Sequence, residues 1–381
     1  MQLARDDVRF LTRRSIPLAV VVLVLHLFVL FVALDNRSYL TDDSIQYLTL
    51  SENLGQEGVL SQSFQAPFVP DLQRPPGYPV FLWLFGNNIS FVLALQHLMV
   101  LFSGWVLFRV LGEFVGTKMA RRGAWIWLLQ PYPILMASLV LSEVPFILFL
   151  LLRIWGVVRY LRRDVIDKSS ENSDVKTVQS GRPWSHALRP LLGGLFAMVV
   201  AAYFRPVVFP FLLLLTAALL MRGLWQKKKT VEQKWSALVH AVLGVGLVIL
   251  LLSPWVIRNH QLSGRWIFSS MGDMGMIHGR LGGLEAFRQG RGEKETILFR
   301  LGDSLAVQEE GLQGYRVYYS EKENHETELY RKGGTGLTIA YFLKHPWEGI
   351  LFQGKSLMAM LKGVGFGWGK QVTGSTLAAY A

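Results

Sequence analysis

The residues best suited to chemistry begin at Thr41-Asp42-Asp43-Ser44-Ile45-Gln46-Tyr47 and run on to Gly55. Two adjacent carboxylates could act as a general base or steady a developing positive charge. Read as a helix stopping near Gly55, the stretch is amphipathic. Asp43, Tyr47, Leu50 and Leu54 share one stripe, and Asp42, Gln46, Thr49 and Asn53 share the next. A carboxylate at the start of such a helix could be aimed into a cavity. Thr41, Asp42 or Asp43 could equally do no more than cap it, since these residue types are favoured there. Four further segments bring charges of both signs: Arg74-Pro75-Pro76-Gly77-Tyr78-Pro79, Leu141-Ser142-Glu143-Val144-Pro145, Tyr203-Phe204-Arg205-Pro206, and Pro254-Trp255-Val256-Ile257-Arg258-Asn259. A guanidinium can hold a phosphate through two parallel bonds. The plain alternative for each arginine is a side chain snorkelling to lipid head groups.

These residues need elements to hold them, and the composition says which. Of the 381 residues, 51% are hydrophobic and 17% charged, against about 25% charged in an ordinary soluble domain. The apolar residues fall in uncharged blocks close to the roughly 20 residues a helix needs to cross a bilayer. Spans are predicted at 16–34, 89–111, 123–141, 144–161, 189–204, 206–221 and 236–254. With the N-terminus cytoplasmic, the inner loops hold 19 Lys and Arg, and the outer side before residue 255 holds three, Arg37, Arg74 and Arg205. That asymmetry orients the chain, and it accounts for the net charge of +12 without nucleic acid. With no cysteine, thiolate chemistry and disulfides are excluded. His26 is expected to pack within the first span, and Arg153, inside the fourth, to snorkel inward.

The sequence therefore predicts an all-α polytopic protein of the plasma (inner) membrane. A seven-span bundle occupies 1–255, with a long first extracytoplasmic loop, 35–88, that carries the acidic pair. Residues 256–381 form an extracytoplasmic region, α or α+β, whose segment 337–361 is a broken helix lying on the membrane surface, with a broken eighth span as the alternative. Residues 281–332 are too polar to span, and 164–184 read as a cytoplasmic linker.

A first span, an outer loop with an acidic pair and following tyrosine, then R-P-P-G-Y-P, L-S-E, F-R-P and P-W-x-x-R-N, all on one side, resemble the GT-C superfamily of membrane glycosyltransferases. The nearest branch is that of the dolichyl-phosphate-mannose-protein mannosyltransferases and the aminoarabinose transferases. The resemblance covers about Ser15 to Gly275. It departs from the family at the end, because members continue with several more spans and this chain stops at Ala381. The resemblance implies a GT-C-like helical bundle and transfer of a sugar from a polyprenyl-phosphate carrier to an acceptor (protein, lipid or glycan) on the outer side. It also implies a carboxylate of the first outer loop at the active site. Asp43 fits best, four residues before Tyr47, with Asp42 second.

On this reading Asp43 or Asp42 serves as base in a displacement with inversion, and Arg74, Arg205 and Arg258 hold the leaving phosphate. Glu143 positions the arginines, and Tyr47 lies beside the base. No nucleotide-sugar or metal motif is visible, and no cofactor is expected, with a divalent metal left open. Membrane lipids are the other partners. The rival class is a transporter or flippase of a lipid-linked or anionic substrate. It would use the same arginines but is often built on internal repeats, and none is visible here. A non-catalytic scaffold would leave the acidic pair unexplained.

Overall fold

The computed structural model describes residues 10–171, 185–208, 231–290 and 334–363. Among these the chain is helical and contains no strand. It divides into two compact units, the first made of Met1–Ser61 and Pro75–Arg258, the second of Gln62–Arg74 and Asn259–Ala381.

The first unit begins with α1 (Ile16–Asp35), then α2 (Asp42–Glu57), α3 (Gly77–Leu84), α4 (Ile89–Leu111), α5 (Thr117–Leu129), α6 (Pro131–Ala137), α7 (Glu143–Glu171) and α8 (Ser185–Phe204). A further helix, α9 (Val231–Ser263), supplies its last residues. Among the described residues, four stretches are long and apolar enough to cross a membrane: Arg13–Asp35, Ile89–Leu111, Glu143–Arg162 and Val242–Ser263. Arg189–Phe204 is apolar but shorter. Most of the span predicted at 206–221 lies outside the described residues.

The span predicted at 123–141 is corrected. The structure breaks it at Gln130 and restarts at Pro131. Gln130 precedes a proline and takes the extended conformation that such a position favours, with φ −67° and ψ 134°. Pro131 and Pro133 then sit in the first turn of α6, where a missing N–H costs nothing.

α2 runs past the stop predicted at Gly55. It ends at Glu57, with Gly58 in the left-handed conformation at φ +69°. Gly58 is the glycine placed to close the helix. Gly55 instead faces Trp83 of α3, where an added Cβ would come within 3.1 Å of the indole.

The core of this unit gathers Tyr47 of α2, Tyr78 and Leu82 of α3, Leu93 of α4, Met136 of α6 and Phe204 of α8. α3 meets the end of α8 at Gly77, where a Cβ would lie 2.5 Å from the Tyr203 carbonyl oxygen. Backbone cannot yield as a flexible side chain can. Gly77→Ala is therefore expected to lower stability by about 1–3 kcal/mol, measured as the melting temperature of the purified chain. An unchanged melting temperature would show that α3 and α8 can separate freely.

His26 packs inside the unit as expected, 2% exposed. Its Nδ1 lies 2.8 Å from Nδ1 of His97 on α4, whose Nε2 is 3.0 Å from the Ser138 hydroxyl. Arg153 does not snorkel. α7 and α8 cross so closely that a Cβ on Gly156 would lie 2.6 Å from the Pro190 carbonyl oxygen, and the guanidinium is enclosed at this crossing, 2% exposed.

In the second unit, Asn259 donates to the carbonyls of Ile267 and Phe268, and Ser270 N–H donates to the Leu72 carbonyl. α10 (Met271–Met274), a π-helical segment (Gly275–Gly282) and α11 (Gly283–Arg288) follow without a break. α12 (Gly334–Lys344) and α13 (Pro346–Gly363) are separated at His345, so the helix-break-helix expected over 337–361 is present. Pro346 explains the break, since a proline there can begin a helix but not continue one. Ile277, Leu281, Leu284, Tyr341 and Phe352 form the core. The Tyr341 hydroxyl sits between Glu285 and Arg288, 2.6 Å from each, and burial with the Glu285 hydrogen bond pushes its phenol up to about 12. Residues 291–333, most of the polar stretch, lie outside the described residues, as do 172–184 of the expected linker.

Candidate functional site

The start of α2 separates capping from chemistry. Thr41 is the cap: its Oγ1 accepts from the Ser44 N–H at 3.2 Å, and the Ser44 hydroxyl accepts from the Thr41 N–H at 3.0 Å. The reciprocal pair satisfies two N–H groups that a helix start leaves open. Asp42 and Asp43 therefore occupy the first two helical positions and are not the cap. Both are exposed. Asn53, expected on the polar stripe, is buried and donates to the Ser61 carbonyl at 2.7 Å.

One turn after Asp43, Tyr47 turns inward. It is 4% exposed, and its hydroxyl lies 3.1 Å from the Ser142 hydroxyl. Ser142 directly precedes Glu143, which opens α7 and is ion-paired to Arg205 at 2.5 Å between Oε1 and Nη1. Tyr47 also meets Tyr78 edge-on, with ring centroids 4.8 Å apart, and Tyr78 meets Phe204 at 6.4 Å. The structure thus brings four sequence segments together: the acidic helix, R-P-P-G-Y-P through Gly77 and Tyr78, L-S-E, and F-R-P. The ion pair is partly open at the surface of the unit, its side chains 40% and 20% exposed for Arg205 and Glu143.

Tyr78 was not anticipated from the sequence as a site residue. Its hydroxyl donates to Gln96 Oε1 at 2.8 Å, and Gln96 Nε2 donates to the carbonyls of Ala137 and Leu139. Burial holds the Tyr78 phenol well above its usual range, reinforced by Tyr47 and Glu143, so it remains a donor. Gln96-His97 inside an otherwise apolar span was the signal available for this network, because polar side chains at that depth need partners. Ser142 lay inside a motif already noted. Tyr132 adds a phenol within electrostatic reach of both Glu143 and Arg205.

The remaining two arginines have contacts of their own. Arg258, near the end of α9, stacks over Trp255 of its own helix at 4.3 Å. Arg74 belongs to the second unit. It is only 9% exposed, so it is not an arginine reaching freely for head groups. Its N–H donates to Asp71 Oδ2 at 2.7 Å, and Asp71 Oδ1 accepts from Gln62 at 2.8 Å. Burial raises the Asp71 carboxyl above its ordinary range, against the opposing pull of these donors and of the Arg74 charge. Among the described residues, no group of three or more His, Asp or Glu side chains gathers as metal ligands would.

The described residues define a helical protein with four helices long and apolar enough to cross a membrane, in which Tyr47 of the acidic helix meets Ser142 beside a carboxylate–guanidinium pair. Comparison with known proteins finds no matching family model, no matching curated protein and no matching solved structure.

Proposed function

We propose that this chain is a multi-pass membrane glycosyltransferase that moves a sugar from a polyprenyl-phosphate carrier to an acceptor on the outer face. The observation that carries the reading is that the helix opening on Asp42 and Asp43 buries Tyr47 one turn on, whose hydroxyl meets Ser142 next to the Glu143–Arg205 pair. It puts a carboxylate and a phosphate-binding cation on one connected framework. Asp43 takes the proton of the acceptor hydroxyl as its oxygen attacks the anomeric carbon. The bond from that carbon to the phosphate oxygen breaks, with inversion, and the polyprenyl phosphate leaves with its charge held by Arg205. Asp42 is the second carboxylate, Glu143 and Tyr47 hold the arrangement, and Arg258 is the further phosphate contact within the same unit.

The framework works only on the outer face, so orientation tests the proposal. With no native cysteine, single cysteines can be introduced without background. A cysteine at Gln62 or Gln289 is expected to react with an impermeant maleimide in intact cells. One at Ser173, outside the described residues, is expected to react only after the inner side is opened. Labelling of the Ser173 position in intact cells would put the acidic helix on the wrong face for this reaction.

A further inference from the structure

We propose that Arg153 anchors a second anion-binding position, in the middle of the first unit, which takes a small oxyanion (a phosphate, sulfate or carboxylate group). Arg153 lies ten residues beyond Glu143 on α7, about 15 Å along the helix axis. That is half of a hydrocarbon layer roughly 30 Å thick. The position is therefore separate from the Glu143–Arg205 pair, and the inference does not rest on sugar transfer.

The side chain is 2% exposed, and its Nε, Nη1 and Nη2 are all buried with no hydrogen-bond partner among the described residues. This is not a general property of α7. Arg159, two turns on, lies over the Trp155 ring at 5.2 Å, and Arg162 is 3.7 Å from Glu113. No Asp or Glu occurs in 145–162 of α7 or 189–204 of α8, so neither helix supplies a counter-charge there. The opposing helix presents Gly194, where a Cβ would come within 3.3 Å of Nη1, and Gly156 stands at the same crossing. Small residues on both helices thus stand beside the guanidinium.

An unpaired buried charge costs several kcal/mol, and an arginine cannot shed its proton to escape that cost. A water molecule would satisfy an N–H group but leave the charge uncompensated. An oxyanion meets both needs, because two oxygens match the two parallel N–H donors of the guanidinium fork.

The test is equilibrium binding of radiolabelled inorganic phosphate to the purified full chain, in neutral detergent and a buffer free of other oxyanions. Wild type is expected to show a saturable component that sulfate displaces and that survives Arg205→Gln. Arg153→Met should weaken that component at least tenfold. Arg153→Met removes an unpaired charge and is expected to fold. Should it fail to, Arg153→Lys keeps the charge without the fork and should still bind phosphate more weakly than wild type. Binding unchanged in whichever Arg153 variant folds overturns the proposal, as does the absence of any component surviving Arg205→Gln.

Discussion

Asp43→Asn is expected to leave expression and melting temperature nearly unchanged while lowering sugar transfer by about 10²–10⁴-fold, the usual cost of losing a general base. The separation is clean because Thr41, not either aspartate, caps α2. Removing one negative charge from the first turn forfeits a dipole interaction of only about 0.3–1 kcal/mol. Thr41→Ala supplies the converse, a loss of about 1 kcal/mol of stability with both carboxylates intact. Asp42→Asn should reduce transfer less than Asp43→Asn, because only Asp43 stands one turn before Tyr47 and so shares its stripe of the helix. The opposite ranking would move the base to Asp42. Full transfer in the double Asn variant would leave the pair no catalytic part.

Arg205→Ala is expected to have the other large effect, about 10²–10³-fold on transfer, as for removal of a group that stabilises charge developing in the transition state. Among the described residues its ion pair engages Nη1 with Glu143, which leaves the Nε–Nη2 edge for a phosphate. Arg205→Lys keeps the charge without the fork and should fall between wild type and Ala. Glu143→Gln keeps a hydrogen-bonding oxygen beside the guanidinium but removes its counter-charge. It should act mainly through the KM for donor, with kcat less affected. Wild-type kinetics in Arg205→Ala would remove the arginine from the phosphate site.

The long apolar helices were legible because composition alone reveals them: α1, α4 and the first part of α7 lie where apolar blocks of spanning length predict them. The block at 123–141 was misread for a physical reason. An apolar count is blind to Pro131 and Pro133, whose effect is on the backbone rather than on hydropathy. The end of α2 was placed three residues early because Gly55 and Gly58 are both admissible stops, and only the packing of Gly55 against Trp83 separates them. The cap was open among three residues until Thr41 and Ser44 were seen to bond reciprocally.

Burial was the least legible quantity. Arg74, Arg153 and Asn53 are all residues that usually face water or head groups, and each is buried. The site was partly legible. The motif segments around Asp43, Glu143 and Arg205 do belong to one framework, yet Ser142 and Tyr78, which join them, are ordinary residues whose roles come from contacts across sequence gaps. Arg74 falls in the second unit, a division set by which segments pack together and carried by no local pattern.

The central claim is that the bond between sugar and carrier phosphate is broken at this site. The direct measurement uses the purified chain in proteoliposomes containing a polyprenyl-phosphate sugar labelled in the sugar, with a membrane extract as source of acceptor. The account predicts that label passes to acceptor while free polyprenyl phosphate accumulates one for one, and that Asp43→Asn stops both. Movement of the intact lipid-linked sugar to the opposite leaflet, with its bond to phosphate uncut and Asp43→Asn without effect, would contradict the account and identify a flippase instead.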